Sequence, residues 1–291
     1  MDRKSMFLKN TAKEIIQKGN YMFRFSTRHM RVLPDFLIVG AQKCGTSSLY
    51  RNLVKHPSIV PAFVKEIYFF SSARYFQNGV HWYKAHFPLL PHKYFNTRIR
   101  KLDFLTGEAS PGYIFYPHAP RRISELLPDV KIIVLLRNPV DRAYSHYYHE
   151  VRKKRESLSF EDAIKKEEQR LRGEFDKIME DEHYFSFNFL HYSYLLRGIY
   201  VDQLKRLNNY FSKDQIIILK SEDFFKDPQA SFEQVIQFLG LPDWQVKDFR
   251  KANVGYYSKM DTVMRNRLID YFAPHNQRLY EYLGINFGWE K

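Results

Sequence analysis

Three short aliphatic runs, FLIVG at 36–40, KIIVLL at 131–136 and QIIILK at 215–220, limit the fold more than any other feature of the chain. None alternates polar with apolar positions and none is long enough for a buried helix. Each therefore reads as a strand covered on both faces, as strands of parallel sheets are. Parallel neighbours need crossover connections, and helical patterns stand between the runs. In the clearest, 228–239, Asp227 is placed to cap and Pro228 takes the first helical position. Phe232, Val235, Ile236 and Leu239 then recur at helical spacing until Gly240 and Pro242 end the pattern. This order predicts an α/β fold, a single domain with a central parallel β-sheet flanked by helices. A last helix is expected from Thr262 to Tyr282, followed by a docked aromatic tail, GINFGW.

With 291 residues, 44% of them hydrophobic, the chain can bury a core without disulfides or metal, and its one cysteine, Cys44, has no partner for an internal disulfide. The aliphatic runs fall far short of the ~20 residues of a membrane span. The first 33 residues are basic and lack the apolar core of a signal peptide, so they are expected to form a basic arm (1–33) before the domain (34–291) of a soluble, cytoplasmic protein. Residues 156–182 are charge-dense and read as a helical insertion or lid. A net charge of +14 admits nucleic acid, an anionic membrane surface or an anionic ligand as partner. No helix-turn-helix or zinc spacing is present, and the aromatics sit at core spacing, so no specific nucleic-acid partner is expected. Peripheral membrane contact stays open.

The stretch DFLIVGAQKCGTSSL (35–49) departs from a nucleotide-binding loop in one informative way. Gly40, Gly45 and Ser47 keep the register of G-x-x-x-x-G-K-[ST], yet Thr46 stands at the lysine position and the cation, Lys43, comes three residues early. Strand, turn and helix in this order let loop amides and a helix N-terminus cradle a phosphate. The competing reading is a helix start capped by Thr46 or Ser47. An NTPase would also need an aspartate at the end of another strand to hold Mg²⁺. KIIVLL instead ends in Arg137, whose guanidinium offers a fork for an anion. Ser145 follows eight residues later, in the second turn of a helix begun near Val140, and could return to the strand end. Together they suggest a second phosphate site.

These segments resemble the sulfotransferases that use 3′-phosphoadenosine 5′-phosphosulfate (PAPS), above all the heparan-sulfate and glycan type. The likeness is carried by VGAQKCGTSSLYRNLVKHP, KEIYFF (65–70), GEASPGYIF (107–115), VLLRNPVDRAYSHY (134–147), RGIYVDQL (197–204), ILKSEDFFKDPQASFEQVIQFLGL (218–241) and FAPHNQRLYEYLGINFGW (272–289), in the family's order along nearly the whole chain. It implies a fold like that of P-loop nucleotide kinases. It also implies a 5′-phosphosulfate loop formed by Lys43, Cys44, Gly45, Thr46, Ser47 and Ser48, with Lys43 stabilising the leaving phosphate. Arg137 and Ser145 match the family's 3′-phosphate pair, while Tyr256 and Lys259, in NVGYYSKM, align loosely with a further donor-binding segment. No metal is implied, and the product would be adenosine 3′,5′-bisphosphate.

The same resemblance makes Glu66 the general base. Its apolar neighbours imply partial burial, and as part of a strand it would point away from Lys65. Histidine is the base in another branch, so His81, His86, His146 and His149 are candidates, with His81 and His146 held in reserve. Two departures bear on the acceptor: Tyr68 where many glycan-type members have histidine, and Ala109 where heparan 3-O enzymes have lysine. The implied enzyme is a soluble, stand-alone bacterial relative. It would act on a hydroxyl or amine of a glycan, a glycolipid or a small hydroxylated metabolite. The alternative is a P-loop small-molecule kinase using MgATP.

Overall fold

All three aliphatic runs form strands. The computed structural model describes residues 19–249 and 258–290. Strands β1 (Phe36–Gly40), β2 (Ile59–Pro61), β3 (Leu105–Ala109), β4 (Lys131–Leu136) and β5 (Ile216–Lys220) form one parallel sheet in the order β2-β3-β1-β4-β5. Central β1 is buried at every position, and β4 at all but Lys131. β5 departs from the expectation of burial on both faces because it is an edge strand, with only Leu219 fully buried. Gln215 belongs to a 3₁₀ turn before it.

β2 and β3 are not visible as aliphatic runs. β2 has three residues and ends in Pro61, which an edge strand tolerates because no ladder hydrogen bond is lost. β3 reads LTGEA, and its glycine is there for space. Gly107 lies opposite Phe36 of β1, and a Cβ on it would stand 2.5 Å from the Phe36 carbonyl oxygen.

Eight helices position the site: α1 (Thr46–Leu53), α2 (Pro139–Arg152), α3 (Phe160–Leu171), α4 (Glu174–Glu180), α5 (Tyr200–Asn208), α6 (Ser221–Lys226), α7 (Pro228–Leu239) and α8 (Thr262–Leu283). α7 is built as its sequence indicates: the Asp227 carboxylate accepts from Ala230 N at 3.0 Å, and Gly240 ends the helix with φ +74°. The tail docks as expected, with Phe287 and Trp289 stacked at 4.6 Å and both buried.

The charge-dense stretch 156–182 forms α3 and α4, and several of its carboxylates face inward. Glu167 accepts from the amides of Leu195 and Leu196 at 2.8–2.9 Å, and Glu156 accepts from Tyr194 Oη at 3.0 Å while pairing with Arg170. At the other end, Arg31 donates to the Phe87 carbonyl at 2.7 Å and Arg24 to those of Ala85 and Phe87, so the described end of the basic arm lies on the body.

Gly107→Ala forces a methyl group into the β1–β3 pairing and should cost about 1–3 kcal/mol, the usual penalty of overpacking. Urea unfolding monitored by circular dichroism reads it directly, and wild-type stability would disprove the close approach.

Candidate functional site

The loop after β1 is fixed from three sides. Ala41 N donates to the Leu135 carbonyl at 2.7 Å, extending the β1–β4 pairing past Gly40. Ser221 Oγ donates to the Cys44 carbonyl at 2.6 Å. Tyr200 Oη, from α5, donates to the Arg137 carbonyl at 2.8 Å and lies 3.8 Å from Cys44 Sγ. Within the loop Cys44 N turns back to the Ala41 carbonyl, and its thiol is buried. Cys44 therefore shapes the loop, which narrows the binding role expected for it.

Gly45 occupies the cap position of α1 with φ +93°, so neither Thr46 nor Ser47 is the N-cap. Only glycine adopts that conformation freely, and a Cβ here would also meet the Phe225 ring at 2.8 Å. Thr46, Ser47 and Ser48 form the buried first turn, in which the Ser48 amide closes on the Gly45 carbonyl at 2.9 Å, and the N-terminus of such a helix is where an anion is favoured. Lys43 has φ +71°, a strained backbone for a side-chain-bearing residue, and such strain gathers at ligand sites.

Arg137 follows β4 and its guanidinium donates to the Lys43 carbonyl at 3.3 Å, which joins the two segments the sequence had suggested separately. Ser145 lies buried in α2, which begins with the Asn138 side chain capping Val140 N. Cations crowd here. Burial, then the charges of Arg152, Arg137 and Arg142, push the Lys43 amine down to about 8. Arg142 is fully buried, and its Nε and Nη1 have no hydrogen-bond partner among the described residues. A cluster of this kind is complementary to a multiply charged anion.

Beside the loop, segment 62–68 is an irregular turn and not a strand. The expectation that Lys65 and Glu66 point apart therefore fails: the Lys65 ammonium pairs directly with the Glu66 carboxylate. Lys65 Nζ also donates to Ser47 Oγ at 2.8 Å, so one lysine links the anion loop to the carboxylate. Tyr68, at φ +56°, donates its hydroxyl to the other Glu66 oxygen. Ser110 Oγ accepts from both Ile67 N and Tyr68 N at 3.0–3.1 Å and donates to Glu108 at 2.5 Å. Glu108 is fully buried and also accepts from Tyr83 and Tyr113, and burial pushes its carboxyl up. Sequence reasoning missed Lys65, Glu108 and Ser110, although both KE and GEAS stood in the segments already singled out.

Of the candidate histidines, His86 touches this turn through its carbonyl, which accepts from Phe63 N at 2.8 Å. His81 is exposed, and His86 turns Nδ1 to the Trp82 carbonyl at 3.0 Å. His146 is fully buried, 3.6 Å from Glu150, and burial pushes it down to about 3. Burial and then the Lys43 charge take half-buried His149 to about 4. Tyr256 lies outside the described residues. Lys259 is exposed, and the adjacent Ser258 Oγ is 3.3 Å from Tyr148 Oη on α2, the helix of Ser145. Among the described residues no group of three or more His, Cys, Asp or Glu could hold a metal ion, and no helix is long and apolar enough to cross a membrane.

The family model for the sulfotransferase domain matches residues 33–268. The membrane-associated sulfotransferase kil1 of Dictyostelium discoideum is 28% identical over 89% of this chain and 67% of its own length. The mouse bifunctional heparan sulfate N-deacetylase/N-sulfotransferase 4 is 31% identical over 86% of this chain, which spans only 30% of that protein. Among solved structures, a sulfotransferase from Alicyclobacillus acidocaldarius superimposes with a TM-score of 0.67 at 33% identity, covering 89% of this chain and 100% of that one.

Burial and the neighbouring guanidinium charges lower Lys43, and an anion beside it favours the charged form and raises its proton affinity. Binding of a phosphate monoester should therefore take up a proton between pH about 8, the lowered value, and 10.5, the ordinary one. Calorimetry in buffers of different ionisation enthalpy measures this uptake, and Lys43→Ala should abolish it.

Proposed function

The chain belongs to the sulfotransferase domain family, and on that premise we propose that it moves the sulfuryl group of PAPS to a hydroxyl or amine. One observation carries the assignment of the donor site: the Arg137 guanidinium meets the Lys43 carbonyl at 3.3 Å, and burial, then the charges of Arg152, Arg137 and Arg142, lowers the Lys43 amine to about 8. Buried Arg142 adds positive charge beneath the loop, and the donor carries phosphate at both ends of its ribose. PAPS supplies an activated sulfuryl group on a phosphate leaving group.

The protein's part is to bind, align and neutralise. Lys43 and the amides at the start of α1 hold the 5′-phosphate and stabilise the charge that grows there as the S–O bond breaks. Arg137 and Ser145 hold the 3′-phosphate, and Lys259 and Tyr256 belong to this proposal as further donor contacts. Glu66 receives the proton that the acceptor loses as its oxygen or nitrogen bonds to sulfur. Lys65 and Tyr68 keep that carboxylate oriented.

The acceptor we favour is a saccharide, consistent with the heparan sulfate enzymes among the relatives. A glycolipid or small hydroxylated metabolite fits the same chemistry. A phosphoryl-transfer reading is weaker, because β4 ends at Leu136 and is followed by Arg137 where that chemistry needs a carboxylate for Mg²⁺.

Calorimetric titration with adenosine 3′,5′-bisphosphate, in EDTA, should show saturable binding that 5′-AMP does not match. Arg137→Ala should weaken it ~10- to 100-fold, the loss of one charge-assisted contact. Binding of MgATP alone would overturn the reading. Glu66→Gln should lower turnover by roughly 10²- to 10⁴-fold while donor affinity stays near wild type, and an unchanged rate in a coupled desulfation assay would remove Glu66 from its role.

A further inference from the structure

Away from the anion loop, two segments share a surface that sulfuryl transfer does not require. The helix through residues 19–26 sits on the body by way of Arg24 and Arg31, and its large apolar side chains face outward. Tyr21 is 40% exposed, Met22 71%, Phe23 57% and Phe25 40%. Arg31 forms a bridge to Leu89, and directly beyond it the apolar side chains turn outward again. There Leu90 is 57% exposed, Tyr94 61%, Phe95 51% and Ile99 62%. Single exposed apolar side chains are ordinary, whereas two such runs joined through a backbone bridge make a surface that calls for a partner.

The charge of that surface has one sign. Neither 19–34 nor 88–102 contains an aspartate or a glutamate. Arg24 and Arg31 are occupied by backbone carbonyls and Lys93 by Asp35. Arg98, Arg100 and Lys101 are exposed among the apolar side chains, and half-buried Arg28 donates to the Phe25 carbonyl at 2.8 Å with its guanidinium 4.3 Å from the Phe25 ring centre. Residues 1–18 carry Arg3, Lys4, Lys9, Lys13 and Lys18 against Asp2 and Glu14, so this end of the chain is also positive in balance.

We propose that this face docks on an anionic lipid bilayer, with Met22, Phe23, Leu90 and Ile99 at the boundary of headgroups and acyl chains and the cations among the headgroups. An apolar surface rimmed by arginine and lysine is what binds such an interface. A soluble polyanion would satisfy the cations and leave the apolar side chains in water. A second copy of the chain would set one cationic surface against another, which repels. Arg24 also stacks on Phe63 at 4.5 Å, so the docking face adjoins the segment that carries Glu66.

The test is co-sedimentation of the full chain with phosphatidylcholine vesicles, with and without phosphatidylserine, and it assumes nothing about the reaction. Binding should require phosphatidylserine and weaken as salt is raised. The combined variant Met22→Ser, Phe23→Ser, Leu90→Ser and Ile99→Ser removes only exposed groups, so its thermal midpoint should hold while vesicle affinity falls at least about tenfold. Absence of phosphatidylserine-dependent binding overturns the proposal. Wild-type binding by the serine variant also overturns it, because charge alone would then suffice. So does a dimer of the wild-type chain that the variant dissolves, since the face would then be a self-contact.

Discussion

The Ala41 amide donates to the Leu135 carbonyl at 2.7 Å, and the whole anion site hangs on that register. It carries the pairing of two buried strands past Gly40 and so brings the loop after β1 beside the end of β4. Arg137 then reaches the Lys43 carbonyl, and cations that would repel one another in an open chain are held together. The energy for this comes from elsewhere, from a sheet whose central strand is shielded on both faces. The site is thus a strained, repulsive cluster kept in place by an apolar core, and it gains most when a multiply charged ligand arrives. Position on the sheet agrees, since ligands of open parallel sheets sit at the carboxyl ends of the strands.

How much of this could be read from the sequence depended on the kind of force involved. β1 and β4 were legible to the residue because burial on both faces demands an unbroken aliphatic run, and α7 was legible because Asp227, Pro228 and Gly240 each have a local role. β3 was not, because Gly107 is selected by a contact with Phe36 far away in sequence, and Glu108 is satisfied by Tyr113 nearby and by Tyr83 from an earlier segment. No local pattern records the contacts with Phe36 and Tyr83. The anion loop was recognisable from spacing, yet its charge balance was not, since the repulsion on Lys43 comes from residues on α2 and beyond β4. The error about Lys65 has the same origin. A strand would have separated it from Glu66, but the segment turns instead, and Ser110 receives two of its amides.

The two ends of the site differ in how they are held. The anion end rests on backbone pairing and on three anchors, Tyr200, Ser221 and the β4 register. The turn that carries Glu66 rests on side chains: Lys65 and Tyr68 grip Glu66, and the buried Ser110 and Glu108, the latter on β3, hold the turn beneath. Lys65 and Tyr68 lie outside the sheet, so exchanging them would leave its strands intact.

The position of β1 also bears on how the chain is made. Among the described residues it is the first strand in the sequence and the central one in the finished sheet, while both of its neighbours, β3 and β4, come later. A nascent chain must therefore carry Phe36, Leu37, Ile38 and Val39 without a partner until β3 has been made, and with one edge open until β4 follows. The tail adds a further delay, because Trp289 must reach Glu222, whose other oxygen accepts the Asn138 amide at the start of α2. The loop after β1 is translated early and finished last, and for much of that interval an edge of its apolar strand is open to misfolding and to the chaperones that guard against it.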